Sequence, residues 1–265
     1  MNRRKMAYDI DEMPPMRESI ILAFQHLFAM FGATILVPIL VNSAAGEEVL
    51  TIPVALVASG IGTLIYILCT KCKSPVYLGS SFAFITPIAA AYTKAGISGA
   101  MTGVMAVGLI YCVIALIIKF AGRDWLEKLL PPVVIGPMIM IIGLGLAPSA
   151  ISQIGLSSGT ELDVNVLIVA IVSFLVTAIV MTKAKGFFKI IPFLIGIVVG
   201  YIAAVVIGLV DFKAVSDASF LSVPAFKIPF KDYSLNFAAL LTIAPIALVT
   251  MCEHIGDHTS LGNII

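Results

Sequence analysis

The chain of 265 residues is 60% hydrophobic and 12% charged, and its mean hydropathy is +1.10. A soluble domain is about half apolar and about a quarter charged, so this composition excludes an ordinary soluble protein and predicts an all-α polytopic protein of the lipid bilayer. The net charge of +1 gives no argument for nucleic-acid binding, and we expect no nucleic-acid partner.

Apolar runs near the length of a bilayer recur along the chain, separated by short charged or Pro- and Gly-containing connections. They predict eight membrane spans, at residues 18–42, 49–70, 78–94, 98–121, 128–149, 164–184, 187–210 and 235–262. Most of the 16 Lys and Arg residues lie in alternate connections, for example Lys71, Arg123 and Lys183. Because basic residues favour the cytoplasmic side, this bias predicts a multi-pass protein with a cytoplasmic N-terminus.

The first span contains His26 among apolar residues, about two turns from its start. A histidine at this depth either takes part in a polar site or packs within the protein with its ring bonded to a backbone carbonyl. The span by itself leaves both interpretations open.

The third span, predicted at 78–94, begins in a stretch, residues 75–87, that has the composition of an interrupted helix. Gly79-Ser-Ser81 favours irregular backbone, Pro87 removes a helical hydrogen bond, and the alternation of Phe82 with Phe84 is typical of an extended piece. Non-helical backbone at membrane depth is tolerated only where it is buried in protein or lines a cavity. Transporters often place substrate sites at such breaks. A proline-kinked helix is the alternative.

The last span carries Glu253, His254, Asp257 and His258 inside an apolar run. An ionisable group in hydrocarbon costs a few kcal/mol or more, so such a cluster is by default a functional site with protein or water partners. Residues four apart share a helix face, which pairs Glu253 with Asp257 and His254 with His258.

Two chemistries fit this cluster. A buried carboxyl group can be protonated or ionised near neutral pH and can bond a polar neutral solute in either form, which would couple a proton to solute binding. Alternatively, His254 and His258 have the spacing of two zinc ligands, as in an intramembrane metallopeptidase. The peptidase motif H-E-x-x-H places Glu after the first His, whereas Glu253 precedes it here. A cluster at the cytoplasmic helix end is a third interpretation.

Three runs of this chain carry a family resemblance: Gln25-His-Leu-Phe-Ala-Met-Phe-Gly-Ala-Thr34, Tyr77-Leu-Gly-Ser-Ser-Phe-Ala-Phe84 and Glu253-His-Ile-Gly256. The Pro-containing pairs Pro14-Pro15, Pro131-Pro132 and Ile191-Pro192 add weaker support. The chain resembles the bacterial uracil permeases of the nucleobase–ascorbate transporter (nucleobase:cation symporter-2) family, and the resemblance runs through its whole length.

The resemblance implies a fold of fourteen spans in two inverted repeats, of which this chain would be the N-terminal part. Core-domain spans one to four would occupy 1–121, gate-domain spans five to seven 122–210, an extracellular connection 211–234, and a truncated span eight 235–265. Spans three and ten would each carry a short strand beside the substrate. A homodimer is a further expectation.

The implied activity is proton-coupled uracil uptake across the cell inner (cytoplasmic) membrane, by a transporter rather than an enzyme. The proton is the coupling ion, and no cofactor or metal is expected. By the resemblance, Glu253 would bond the nucleobase and couple the proton, and the Phe82 amide would bond a uracil carbonyl. His26 would hold the polar network, and Ser80 and Ser81 would line the site. A further glutamate is expected in span ten.

One position departs from the family pattern. Asp257 stands where uracil permeases have a histidine four residues after the glutamate, and His258 follows it. We therefore assign proton coupling to Glu253, Asp257 and His258 together. The alternatives are a xanthine or uric acid permease of the same family and, in a different class, the intramembrane zinc peptidase. An anion transporter of similar fold would need a basic or dipole-only site, against which Glu253 argues.

Overall fold

The computed structural model describes residues 12–262 except 75, 123, 157–161, 186–187, 189–190, 217–222 and 227–234. A 3₁₀ turn, Phe82–Phe84, accompanies the α-helices. The helices are α1 (Met16–Ala45), α2 (Ile52–Cys69), α3 (Ile85–Ala121), α4 (Asp124–Leu129), α5 (Pro132–Gly145), α6 (Ala147–Gln153), α7 (Val164–Lys183), α8 (Pro192–Ile207), α9 (Lys213–Ser216), α10 (Phe237–Ile243) and α11 (Ile246–Gly262).

Long apolar helices dominate the described residues. Six helical stretches are long and apolar enough to cross a membrane, and α8 is a shorter apolar helix. Large apolar side chains cover their outward faces; Phe174 on α7, for example, is 72% exposed. Such faces suit lipid rather than water. The chain is an all-α multi-pass membrane protein, and the predicted fold class is confirmed.

The stretch Phe82–Ala121 contains two helices. They meet at Gly96, whose φ of 63° lies in the left-handed region that glycine adopts without a Cβ clash. The two parts, 85–95 and 97–121, correspond to the third and fourth predicted spans. With this division, each of the eight predicted spans has a helical counterpart in the described part of the chain.

The beginning of the third span is irregular, as predicted, but its details differ. Residues 76–81 have no regular secondary structure, so a continuous proline-kinked helix is excluded. The predicted strand is wrong, because no ladder of backbone hydrogen bonds joins 76–81 to a neighbour within the described residues. The extended alternation of Phe82 and Phe84 is also wrong, since both belong to the 3₁₀ turn. Pro87 lies in the first turn of α3, where its missing N–H removes no helical bond.

The eighth span also contains a break, which the hydropathy pattern did not reveal. Helix α10 ends at Ile243 and α11 begins at Ile246. Pro245 lies between them; it has no N–H to donate, and its ring clashes with a preceding helical carbonyl. The span is therefore two helices in sequence, with Glu253 in the second.

Contacts divide the chain into two compact units. The first holds Thr34–Leu146 and Ala225–Ile265, and the second holds Glu12–Ala33 and Ala147–Pro224. The predicted core and gate segments stay a prediction.

In the first unit, α10 packs against α3 at two glycines. A Cβ on Gly99 would lie 2.9 Å from the Ala239 Cβ, and a Cβ on Gly103 would lie 2.6 Å from the Ile243 Cδ1. Ala239 and Ile243 are fully buried there. The G-x-x-x-G spacing thus allows two membrane helices to approach closely.

In the second unit, α8 packs against α7 in the same way. Gly196 faces Thr177, and Gly200 faces Ser173, so closely that a Cβ at either position would clash with the hydroxyl oxygen. The pairs Gly99/Gly103 and Gly196/Gly200 are therefore both packing positions.

Candidate substrate site

Side chains of α2 replace the helical hydrogen bonds that the broken third span lacks. The Leu78 N–H donates to Thr63 Oγ1 at 3.0 Å, and Ser59 Oγ donates to the Leu78 carbonyl at 2.5 Å. Ser59 also contacts Tyr77 Oη at 2.5 Å, and Tyr77 Oη lies 3.2 Å from Thr34 Oγ1. Because unpaired peptide groups at membrane depth cost several kcal/mol, these hydroxyls make the irregular backbone tolerable.

Ser81 joins this broken backbone to α11. Its Oγ donates to Glu253 Oε2 at 2.9 Å, across 172 residues of sequence, and both side chains are half-buried. Ser80, one residue earlier, donates instead to the Thr34 carbonyl at 3.3 Å. The third span and the acidic residue of the eighth span therefore meet directly.

The 3₁₀ turn presents a backbone donor beside this contact. The Ala83 N–H donates to Ser81 Oγ at 3.4 Å, and the Phe84 N–H donates to the Ser81 carbonyl at 3.3 Å. Within the described residues, the Phe82 N–H has no hydrogen-bond partner. The first N–H groups of a helical turn lack internal partners and serve as donors to ligands.

A cavity of about 410 Å³ lies beside the turn. This volume falls within the usual range of small-molecule sites, roughly 300–1,000 Å³. Glu253 is outside the lining and reaches the wall through its bond to Ser81. The lining residues are Val37, Leu50, Leu78, Gly79, Ser80, Ser81, Phe84, Ile88, Met101, Val104, Val107, Tyr111, Thr250 and His254.

Both histidines of α11 bond tyrosines of other helices. Tyr111 Oη of α3 donates to Thr250 Oγ1 at 2.8 Å and lies 3.1 Å from His254 Nδ1. Tyr66 Oη of α2 lies 3.1 Å from His258 Nε2. Together with the bond between Glu253 and Ser81, these contacts fix the rotation of α11 about its own axis.

Comparison with known proteins identifies the family. Residues 17–265 match the Permease family (Xan_ur_permease). The chain belongs to this permease family. It is 45% identical over 263 residues to the uracil permease of Bacillus caldolyticus, covering 98% of this chain and 59% of that protein. It is 44% identical over 271 residues to the uracil permease of Bacillus subtilis (strain 168), covering 100% and 61%.

A third relative is the uracil permease of Escherichia coli (strain K12), 39% identical over 269 residues, with 100% of this chain and 59% of the relative covered. This permease-family chain therefore spans about 60% of the length of these curated relatives. The relatives are named as transporters, not as enzymes.

The structure brings some of the predicted site residues of this permease-family chain together and leaves others apart. Ser81 and Glu253 are bonded to each other, and Ser80 and Phe82 adjoin them along the chain. Asp257 is exposed one turn beyond Glu253, without a hydrogen-bond partner among the described residues, and His258 is exposed at its bond to Tyr66. His26 belongs to the second compact unit.

Among the residues that the structure describes, the two histidines that resembled zinc ligands belong to no larger group of candidate ligands. No set of three His, Cys, Asp or Glu side chains in the described residues could hold a metal ion.

Sequence reasoning missed the hydroxyl groups around the broken span. Ser59 and Thr63 lie four residues apart, so one face of α2 carries two hydroxyls, and this spacing is a signal that the sequence contains. Tyr66 and Tyr111 gave no comparable signal, because a tyrosine in a membrane span is common and their partners lie 192 and 143 residues away.

Proposed function

We propose that this chain forms one side of a nucleobase site and that its permease takes up uracil together with a proton. The observation that carries the proposal is the 2.9 Å bond between Ser81 Oγ and Glu253 Oε2 beside a cavity of small-molecule size. It places an ionisable group at a break in a membrane span, where transporters bind solutes.

The cavity favours a small, neutral, polar ring. Its described lining contains hydroxyl groups and one imidazole but no Lys or Arg. An anion would lack a charged partner there, whereas uracil offers alternating N–H and carbonyl groups. We assign a carbonyl to the Phe82 N–H and a ring N–H to Glu253. The names of the relatives support uracil over xanthine or uric acid.

The pair of Ser81 and Glu253 suits proton coupling. A serine hydroxyl donates to a carboxylate and accepts from a protonated carboxyl group, so the contact can persist in both states. If uracil binds one state more tightly, proton and substrate binding become linked. Asp257 and His258 follow Glu253 on α11, and we propose them as further residues for proton coupling.

The positions of the basic residues support a cytoplasmic N-terminus and insertion in the inner (cytoplasmic) membrane. In that orientation, α11 runs from the outside toward the cytoplasm. Glu253 then lies part-way along the route that a proton must travel.

The test is equilibrium binding of radiolabelled uracil to a permease of the relatives' length that carries residues 1–265 as its N-terminal part, called the full-length permease below. We expect saturable binding, with uracil competing better than xanthine or uric acid. Ser81→Trp should abolish binding, because the indole would fill the space beside Glu253. Unchanged uracil affinity in Ser81→Trp would remove the site from this position.

A further inference from the structure

His254 borders the substrate cavity but has no role in the proposal above. It follows Glu253 on α11, so its side chain leaves the helix about 100° away. Glu253 bonds Ser81, whereas His254 bonds Tyr111. The two neighbours therefore belong to different polar contacts, and only His254 lines the cavity itself.

A chain of hydrogen bonds fixes which ring nitrogen of His254 carries the proton. Thr250 Oγ1 donates to the Ile246 carbonyl of its own helix at 3.1 Å, so it can accept from Tyr111 Oη at 2.8 Å. Since the proton of Tyr111 is used in that bond, its oxygen accepts from His254 Nδ1, 3.1 Å away. In a neutral imidazole with Nδ1 protonated, Nε2 is an acceptor.

We infer that His254 Nε2 accepts a hydrogen bond from a ring N–H of the nucleobase, which makes His254 a specificity-determining residue. The inference rests on the proposed nucleobase site. Nε2 supplies an acceptor, and the Phe82 N–H supplies a donor. Adjacent N–H and carbonyl groups of a nucleobase require that combination.

The arrangement discriminates against rings that lack the N–H. A methylated nitrogen would remove the donor to Nε2 and place a methyl group against it, and a site built to bond a substrate N–H rejects analogues that lack it. His254 also borders a second cavity of about 440 Å³, formed with Ile114, Ile118 and His258 among others.

Two isosteric replacements separate ligand contact from structural support. His254→Gln keeps an acceptor near the position of Nε2 and loses the bond to Tyr111. His254→Asn keeps a donor toward Tyr111 and loses the acceptor. Tyr111→Phe removes the oxygen that fixes the tautomer. Thr259→Val is the control, because Thr259 borders only the second cavity and its hydroxyl bonds the Ile255 carbonyl at 2.7 Å.

The measurement is the dissociation constant of uracil for the full-length permease and these variants. We expect His254→Asn to weaken binding about tenfold, Tyr111→Phe to weaken it less, and His254→Gln to stay within about threefold of the unmodified protein. The inference would be overturned if His254→Gln and His254→Asn lost equal affinity for uracil, or if His254→Gln lost more. If the unmodified permease does not bind uracil, the proposed function itself fails.

The affinity of the unmodified permease for methylated uracils gives a second result that needs no variant. We expect methylation of at least one ring nitrogen to weaken binding about tenfold or more in the unmodified protein. His254→Asn should bind that methylated ring and uracil with similar affinities. An undiminished preference for uracil in His254→Asn would overturn the role of Nε2.

Discussion

Removing the Ser81 hydroxyl should weaken uracil binding about tenfold. Ser81→Ala deletes the donor that lies 2.9 Å from Glu253 Oε2 and leaves the backbone of the turn in place. A hydrogen bond to a charged group contributes about 1.5–3 kcal/mol. Glu253 is only half-buried, so water can replace part of this bond, and the lower end, about 1.5 kcal/mol, applies. Without Ser81, ordering Glu253 for the substrate takes that free energy from binding, which corresponds to about a tenfold rise in the dissociation constant of uracil.

The assay is titration of the purified full-length permease with radiolabelled uracil. The long 3.4 Å contact from the Ala83 N–H to Ser81 Oγ is also lost in Ser81→Ala, but it is too weak to change the magnitude. Thr93→Ala is the matched control, because it deletes an exposed hydroxyl that bonds only the Ala90 carbonyl of its own helix. If Ser81→Ala and Thr93→Ala bind uracil equally well, the bond to Glu253 does not organise the site.

Three further substitutions test the fold around the site. Thr63→Val should lower the midpoint temperature of unfolding in detergent and weaken uracil binding, because the Leu78 N–H loses its acceptor; an unchanged midpoint would contradict this. Gly103→Val should destabilise the protein strongly, since even a Cβ would lie 2.6 Å from Ile243 Cδ1, and normal amounts of folded protein in the membrane would argue against that packing. Gly96→Ala should cost about 1 kcal/mol of unfolding free energy, because its φ of 63° is unfavourable for alanine, and a more stable variant would refute the break there.

The membrane spans and Glu253 were predictable because each follows from a large free-energy cost that local sequence alone reveals. An apolar run of bilayer length has few alternatives to a membrane helix. Glu253 was identifiable because an ionisable group at that depth needs a partner. The irregular backbone of 76–81 was predictable from its glycine and serine content. The 2.9 Å bond from Ser81 to Glu253 shows that this stretch contacts the acidic residue.

The remaining details depend on tertiary contacts that no local pattern encodes. Whether Phe82 and Phe84 extend or coil is decided by the available hydrogen-bond partners, and Ser81 caps a 3₁₀ turn there. The bond between Tyr111 and His254 joins residues 143 apart and exists only because α3 and α11 pack at that height. The break between α10 and α11 was visible as Pro245, but a proline in a membrane span predicts a kink as readily as a separation into two helices.

Uptake of radiolabelled uracil into proteoliposomes, with and without an inward proton gradient, tests the central claim most directly. We expect the full-length permease to accumulate uracil only with the gradient, and Glu253→Gln to lose that accumulation, because an amide cannot take up the coupling proton. Glu48→Gln, at an exposed position between α1 and α2, should behave as the unmodified protein. Gradient-driven accumulation that survives in Glu253→Gln would contradict the assignment of Glu253 as the residue that links the proton to the nucleobase.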